Sequence, residues 1–128
     1  MSTLPVTSLV AGIFALLIVP LAFQVSLRRI KLKTTFGDAD DETLRRRIRA
    51  HGNFIEYAPL AVVALGLIEY RGASASFVWW LAGAFVASRV IHALGMLYTS
   101  TPTIRAIAMV VNYFAFISAG IWLIRHFD

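Results

Sequence analysis

The sequence predicts an all-α fold, an integral membrane bundle of four helices forming one domain over residues 1–128. Three observations carry that prediction. Composition is the first: 59% of the 128 residues are hydrophobic and 15% are charged, with a mean hydropathy of +0.73. Soluble domains run at roughly 45–50% apolar and about 25% charged, so an ordinary cytosolic domain is excluded, and disorder with it. The second is length. A crossing takes about 20 mostly apolar residues, and four runs of that order fill the chain. No room is left for a soluble catalytic domain, so any site is built inside the bundle. The third is charge placement, since eight of the 12 Lys and Arg residues (Arg28, Arg29, Lys31, Lys33, Arg45, Arg46, Arg47 and Arg49) sit in or beside one loop.

The first apolar run, Leu4 to Leu27, reads as helix 1. It is too long and too poor in leading Lys and Arg for a signal peptide. Arg28 to Asp41 reads as a basic loop, and Asp40, Asp41 and Glu42 suit the positive N-terminal pole of helix 2. Helix 2 then runs to about Ile68 and stops near Arg71-Gly72, where glycine serves as the cap. Ser74 or Ser76 opens helix 3, which continues to about Leu97. Thr101-Pro102 has the pattern of an N-cap followed by a first helical residue, opening helix 4, which ends near Phe127. Gly83 with Ala87, and Ala115 with Ala119, are small residues one turn apart and read as close-packing faces. Pro20 and Pro59 are expected to kink their helices.

The positive-inside rule places the first loop in the cytoplasm and both termini outside, in the inner membrane if the cell is bacterial. Trp79, Trp80 and Trp122 then fall at the outer surface, as an interfacial aromatic belt requires. The net charge of +5 is explained by residues flanking membrane segments, so no nucleic-acid partner is expected. Membrane lipid is a partner by construction.

Ionisable side chains at membrane depth are costly and turn toward a bundle interior, a cavity or one another. On helix 2, Arg46, Arg49, Asn53 and Glu56 are spaced three, four and three apart, which puts them on one stripe about 80° wide at about 100° per residue. Helix 3 carries Arg89 and His92 three apart. Helix 4 carries Arg105 one turn in, with Asn112 two turns further. In an up-down bundle all of these meet at the level of the first loop. The ionisable residues of the other half (Glu69, Arg71, Arg125, His126 and Asp128) fall at helix ends, where snorkelling satisfies them. Three arginines, Arg49, Arg89 and Arg105, against one Glu56 leave positive charge uncompensated. The bundle therefore predicts a small anionic or zwitterionic ligand, because a guanidinium stays ionised and meets carboxylates bidentately. With no cysteine in the chain, any thiol chemistry must arrive with a ligand. No two histidines or carboxylates share ligand spacing, so no metal site is expected.

The stretch R-x-x-R-A-H-x-N-x-x-E-Y-x-P-L, Arg46 to Leu60, resembles the helix 2 signature of the MAPEG family, the membrane-associated proteins in eicosanoid and glutathione metabolism. Ser26-x-Arg28-Arg29, Arg89-x-x-His92 and the sixteen-residue separation of Arg89 and Arg105 are similar to segments of family members, and the likeness is greatest to the small bacterial branch. The resemblance implies a homotrimer of four-helix subunits that binds glutathione as co-substrate between neighbours. It implies a membrane-bound transferase or peroxidase in which Arg105 is the catalytic residue, stabilising the glutathione thiolate against a lipophilic electrophile. Arg49, Asn53, Glu56 and Tyr57 would hold the peptide. Arg46 belongs to the same motif, Arg28 or Arg29 and Arg89 would reach the carboxylates, and His92 would sit at the cavity wall. The family tyrosine one turn after His92 is here Met96, with Tyr98 two residues on as its replacement. Two other classes compete: a glutathione-binding membrane scaffold without turnover, and a small anion transporter.

Overall fold

The computed structural model describes residues 3–127, so Asp128 lies outside the described part. It contains α1 (Pro5–Leu32), α2 (Glu42–Tyr70), α3 (Ala75–Tyr98) and α4 (Pro102–Arg125), each long and apolar enough to cross a membrane.

Helix 1 corrects the sequence reading. It runs to Leu32 rather than Leu27, so Arg28 to Leu32 is helical and the loop begins at Lys33. Arg, Lys, Ile and Leu favour helix, and nothing before Lys33 breaks it. Lys33 then takes a left-handed conformation (φ 54°), and the N–H groups of Lys33 and Thr34 bond back to the carbonyls of Ile30 and Arg29 at 3.2 and 3.1 Å. Pro20 and Pro59 lie within their helices, each removing one backbone donor without ending the element.

The short loop is fastened by its own charges. Arg28 grips Asp41 in a two-pronged ion pair (Nε–Oδ1 3.0 Å, Nη2–Oδ2 2.6 Å), while Asp41 Oδ1 accepts the Leu44 N–H at 2.7 Å as the N-cap of α2. The Arg28 guanidinium, with the Leu44 N–H, holds the Asp41 carboxyl down at about 2. Arg29 donates to the Gly37 carbonyl at 2.8 Å. At the far end of α2, Gly72 adopts φ 76°, and Gly72 and Ala73 donate to the Glu69 and Ile68 carbonyls, the hydrogen-bond pattern of a Schellman cap. Ser74 and Thr101 stand at the N-cap positions of α3 and α4, although neither hydroxyl makes a capping hydrogen bond.

Glu69, expected to reach the membrane surface, does something else. Its carboxylate accepts the N–H groups of Val6 and Thr7 at 3.0 and 2.8 Å, capping the positive N-terminal pole of α1 from the end of α2.

Helices α2 and α3 lie side by side at the centre. α1 packs into the furrow between them on one side and α4 on the other, so α1 and α4 do not touch. The packed core lies in the half nearest the termini. There Val6 and Val10 of α1 and Leu65 and Ile68 of α2 meet Leu81, Ala82 and Phe85 of α3 and Ala115 and Ala119 of α4. The alanines let backbones approach closely. Gly83 and Ala87 instead face outward, and a Cβ on Gly83 would meet nothing within 4 Å. The bulky Trp80 and Phe114, edge to face at 6.0 Å, occupy the α3–α4 seam there, so no small-residue contact forms within the subunit. Phe77, Trp80 and Trp122 stack near the same end.

Candidate functional site

The half of the bundle nearest the first loop is built around Arg89. It lies two-thirds of the way along α3 and is 2% exposed. Its Nη1 donates to Asn53 Oδ1, its Nη2 lies 3.4 Å from Met109 Sδ, and its guanidinium carbon stands 4.9 Å from the centre of the Tyr57 ring. Its Nε has no partner. An amide, a thioether and an aromatic face solvate this cation, and no carboxylate does. Next to it the Ser88 hydroxyl shares its proton between the Phe85 carbonyl at 2.9 Å and Asn112 Oδ1 at 3.3 Å, the Asn112 amide nitrogen is unpartnered, and the hydroxyls of Tyr57 and Tyr113 face each other at 3.4 Å. Both asparagines thus bond across helices.

A groove of about 330 Å³ opens where α2, α3 and α4 converge, bordered by Arg49, His92, Met96, Arg105 and Met109. Arg105 Nη1 points to Met96 Sδ at 3.1 Å. Met109 joins this groove to the buried cluster, because its sulfur receives Arg89 while its side chain lines the groove. Among the described residues every ion pair lies at the first loop: Arg28 with Asp41, Arg45 with Asp38, Asp40 and Glu42, and Arg46 with Glu42. Arg49, Arg89 and Arg105 therefore stand within candidate membrane-crossing helices with no described carboxylate against them.

The residues singled out from sequence fall into three groups. Arg49, His92 and Arg105 converge on the groove, and buried Asn53 and Arg89 with half-buried Tyr57 form the wall behind it. Glu56 shares the α2 stripe but is exposed and makes no hydrogen bond or ion pair among the described residues. The remaining four do not reach the groove of their own subunit. Arg28 and Arg29 are spent on the loop, Arg46 is bound to Glu42 (2.9 Å) and the Thr99 carbonyl (2.8 Å), and Tyr98 stands 78% exposed on the flank of α3 that faces α1. The stripe on α2 thus divides. Asn53 turns inward, Arg49 and Glu56 turn outward, and Arg46 reaches up to the end of α3.

Met109, Tyr113 and Ser88 were not singled out from sequence. A signal existed for the first two: counted from Arg105 they fall at the fourth and eighth positions, beside Asn112 at the seventh, on one stripe of α4. Ser88 carries no signal beyond its place before Arg89.

The chain matches the model of the MAPEG family over residues 7–125, which takes in almost all of the four helices. It is 33% identical over 90 residues to the inner membrane protein YecN of Escherichia coli K12, and to the same degree to YecN of Escherichia coli O6:H1. Each alignment covers 70% of this chain and 69% of the relative. No solved structure matches. Arginines from three spans around one groove, the helix 2 motif and a family match along nearly the whole length agree, and this multi-pass membrane protein belongs to the MAPEG family.

Proposed function

We propose that this protein is a glutathione-dependent transferase of the inner membrane, working as a homotrimer and joining the glutathione sulfur to a lipophilic electrophile that enters sideways from the bilayer. The observation that carries this reading is the trio of buried or groove-lining arginines without a described carboxylate partner. Such charge calls for an anionic ligand, and the tripeptide brings two carboxylates and a thiol to a chain that has no cysteine.

The roles follow from placement. Arg105, on the rim of the groove, stabilises the thiolate, because a cation beside sulfur favours its ionised form. The thiol proton passes to water. The sulfur lone pair then forms the C–S bond as the leaving group departs with its electron pair, or as an epoxide ring opens. Toward a lipid hydroperoxide the same thiolate attacks the peroxide oxygen, releasing the alcohol, and a second glutathione converts the resulting sulfenic acid to disulfide and water. Arg49 and Arg89 attract the carboxylates, Asn53 and Tyr57 fix the orientation of Arg89, and His92 forms the wall. Glu56 is suited to the ligand's ammonium group. Its exposure beside Arg49 in a lone subunit supports the trimer, since two ionisable groups facing lipid are costly and a neighbouring copy would cover them.

The test is a calorimetric titration of glutathione against detergent-solubilised protein, followed by conjugation of chlorodinitrobenzene. Binding that weakens in Glu56→Ala, with a rate that falls on the order of 10²-fold in Arg105→Ala, supports the reading. No heat of binding removes it. Binding with a rate no higher than buffer leaves a glutathione-binding scaffold in its place.

A further inference from the structure

The flank of α3 that faces α1 carries a second arrangement, on the opposite side of that helix from Arg105. A mainly apolar slot of about 210 Å³ runs between α1 and α3, bordered by Leu17, Pro20, Leu21, Phe54, Leu94 and Leu97, with buried Arg89 at its inner wall. Pro20 and Leu94 are exposed at its edges, so it opens sideways toward the bilayer. At the end nearest the first loop it meets a smaller hollow of about 120 Å³ with a different lining. Gln24, Leu97 and Tyr98 border both spaces, and Thr43, Arg46 and Arg47 complete the hollow. An apolar slot at membrane depth is thus continuous with a basic, hydroxyl-bearing hollow at the level of the loop.

The charges in the hollow are not balanced internally. Glu42 answers Arg46, but Arg47 makes no ion pair among the described residues and donates to the Gln24 backbone carbonyl at 2.9 Å, the nearby Asp41 being held by Arg28. Gln24 stands where slot and hollow join, and its buried amide nitrogen has no partner. One cation that shares Asp41 with Arg28 but makes no ion pair of its own, and one amide donor without a partner, therefore flank the same junction. Charge complementarity calls for an anionic acceptor at the hollow, and the slot calls for a hydrocarbon chain attached to it.

We propose that this face binds an anionic phospholipid from the leaflet on the loop side, with one acyl chain in the α1–α3 slot and its phosphate diester at Arg47, Thr43 and Tyr98. Basic pockets between helices on the cytoplasmic side of a membrane hold acidic headgroups by this chemistry. The neighbouring copy that the proposed trimer calls for covers Arg49 and Glu56 instead. The site uses Arg47, which has no part in the glutathione groove.

Native mass spectrometry of the detergent-solubilised protein, exposed to an equimolar mixture of phosphatidylglycerol and phosphatidylcholine with identical chains, tests the proposal. The native protein is expected to retain phosphatidylglycerol preferentially. Arg47→Gln is expected to lower that retention about fivefold while leaving phosphatidylcholine unchanged. Leu94→Trp, which fills the slot from an exposed edge, is expected to lower retention of both. Equal retention of the two lipids by the native protein overturns the proposal, as does undiminished phosphatidylglycerol retention in both variants. A mass increase by whole subunits that Leu94→Trp abolishes assigns the face to a second copy and overturns it too. Glutathione titration of Arg47→Gln, expected to match the native protein, separates failure here from failure of the proposed enzyme activity.

Discussion

In the half of the bundle near the termini the fully enclosed side chains are Leu65, Ile68, Leu81 and Phe85, with alanines at the closest helix approaches; in the half near the first loop the largest is Arg89. The first half comes close to satisfying itself, with Thr7 Oγ1 its one described buried side-chain polar atom without a hydrogen bond. Its one described carboxylate, Glu69 at the end of α2, caps the start of α1, and its aromatic rings pack against one another. The second half does not. It keeps a cation against an amide, a sulfur and a ring face, leaves Arg89 Nε and the Asn112 amide nitrogen without partners, and opens a groove at Arg105. One half stores the stability of the subunit, and the other holds most of its unsatisfied buried groups. Active sites commonly sacrifice stability for such pre-set chemistry.

Three substitutions break or sharpen that contrast. The largest effect on folding belongs to the terminal half: Phe85→Ala empties a fully enclosed site beside Phe116, whose ring centre is 4.8 Å away, and should cost about 3–5 kcal/mol. Reversible unfolding in mixed micelles measures it, and a cost under about 1 kcal/mol would dissolve the distinction between the halves. In the loop half, Arg89→Met removes a buried charge that no described carboxylate balances and inserts an apolar chain of similar length. Stability should be unchanged or rise by about 1 kcal/mol, while glutathione affinity falls. A strong loss of stability with intact affinity would make Arg89 architectural.

The smallest effect lies at the loop itself. Asp41 ionises at about 2, below the ordinary aspartate value of about 3.9, so the native state binds fewer protons than the unfolded chain as pH falls. Its contribution is complete above the ordinary value and is lost on acidification toward pH 2. Asp41→Asn should flatten that acid-side decline, read from amide exchange at residues 34–45. An identical pH profile in the variant would show that the Arg28 grip does not hold the loop.

Much of this architecture was legible because membrane spans are written in composition. The four helices, the Asp41 cap, the Gly72 stop and the gathering of Arg49, His92, Arg89 and Arg105 near one level all follow from hydropathy, turn chemistry and helical spacing. The end of α1 was not legible, because the charges in Arg28 to Leu32 look like loop while their intrinsic preference is helical. Nor was the role of Glu69, since its partners are two backbone N–H groups more than sixty residues away. The α2 stripe illustrates the same limit. Spacing puts Arg46, Arg49, Asn53 and Glu56 on one face, but only the packing of α3 and α4 against α2 decides which of them is enclosed.

By itself the sequence determined that the chain crosses a membrane four times and concentrates its cations at one level, because both properties follow from transfer of side chains between water and lipid, which acts residue by residue. The tertiary structure decided which arginines lack a counter-charge. That depends on three-dimensional neighbours: Arg28, Arg45 and Arg46 found carboxylates at the loop, while Arg49, Arg89 and Arg105 were carried by their helices to a level where Glu56, the carboxylate of the α2 stripe, turns away.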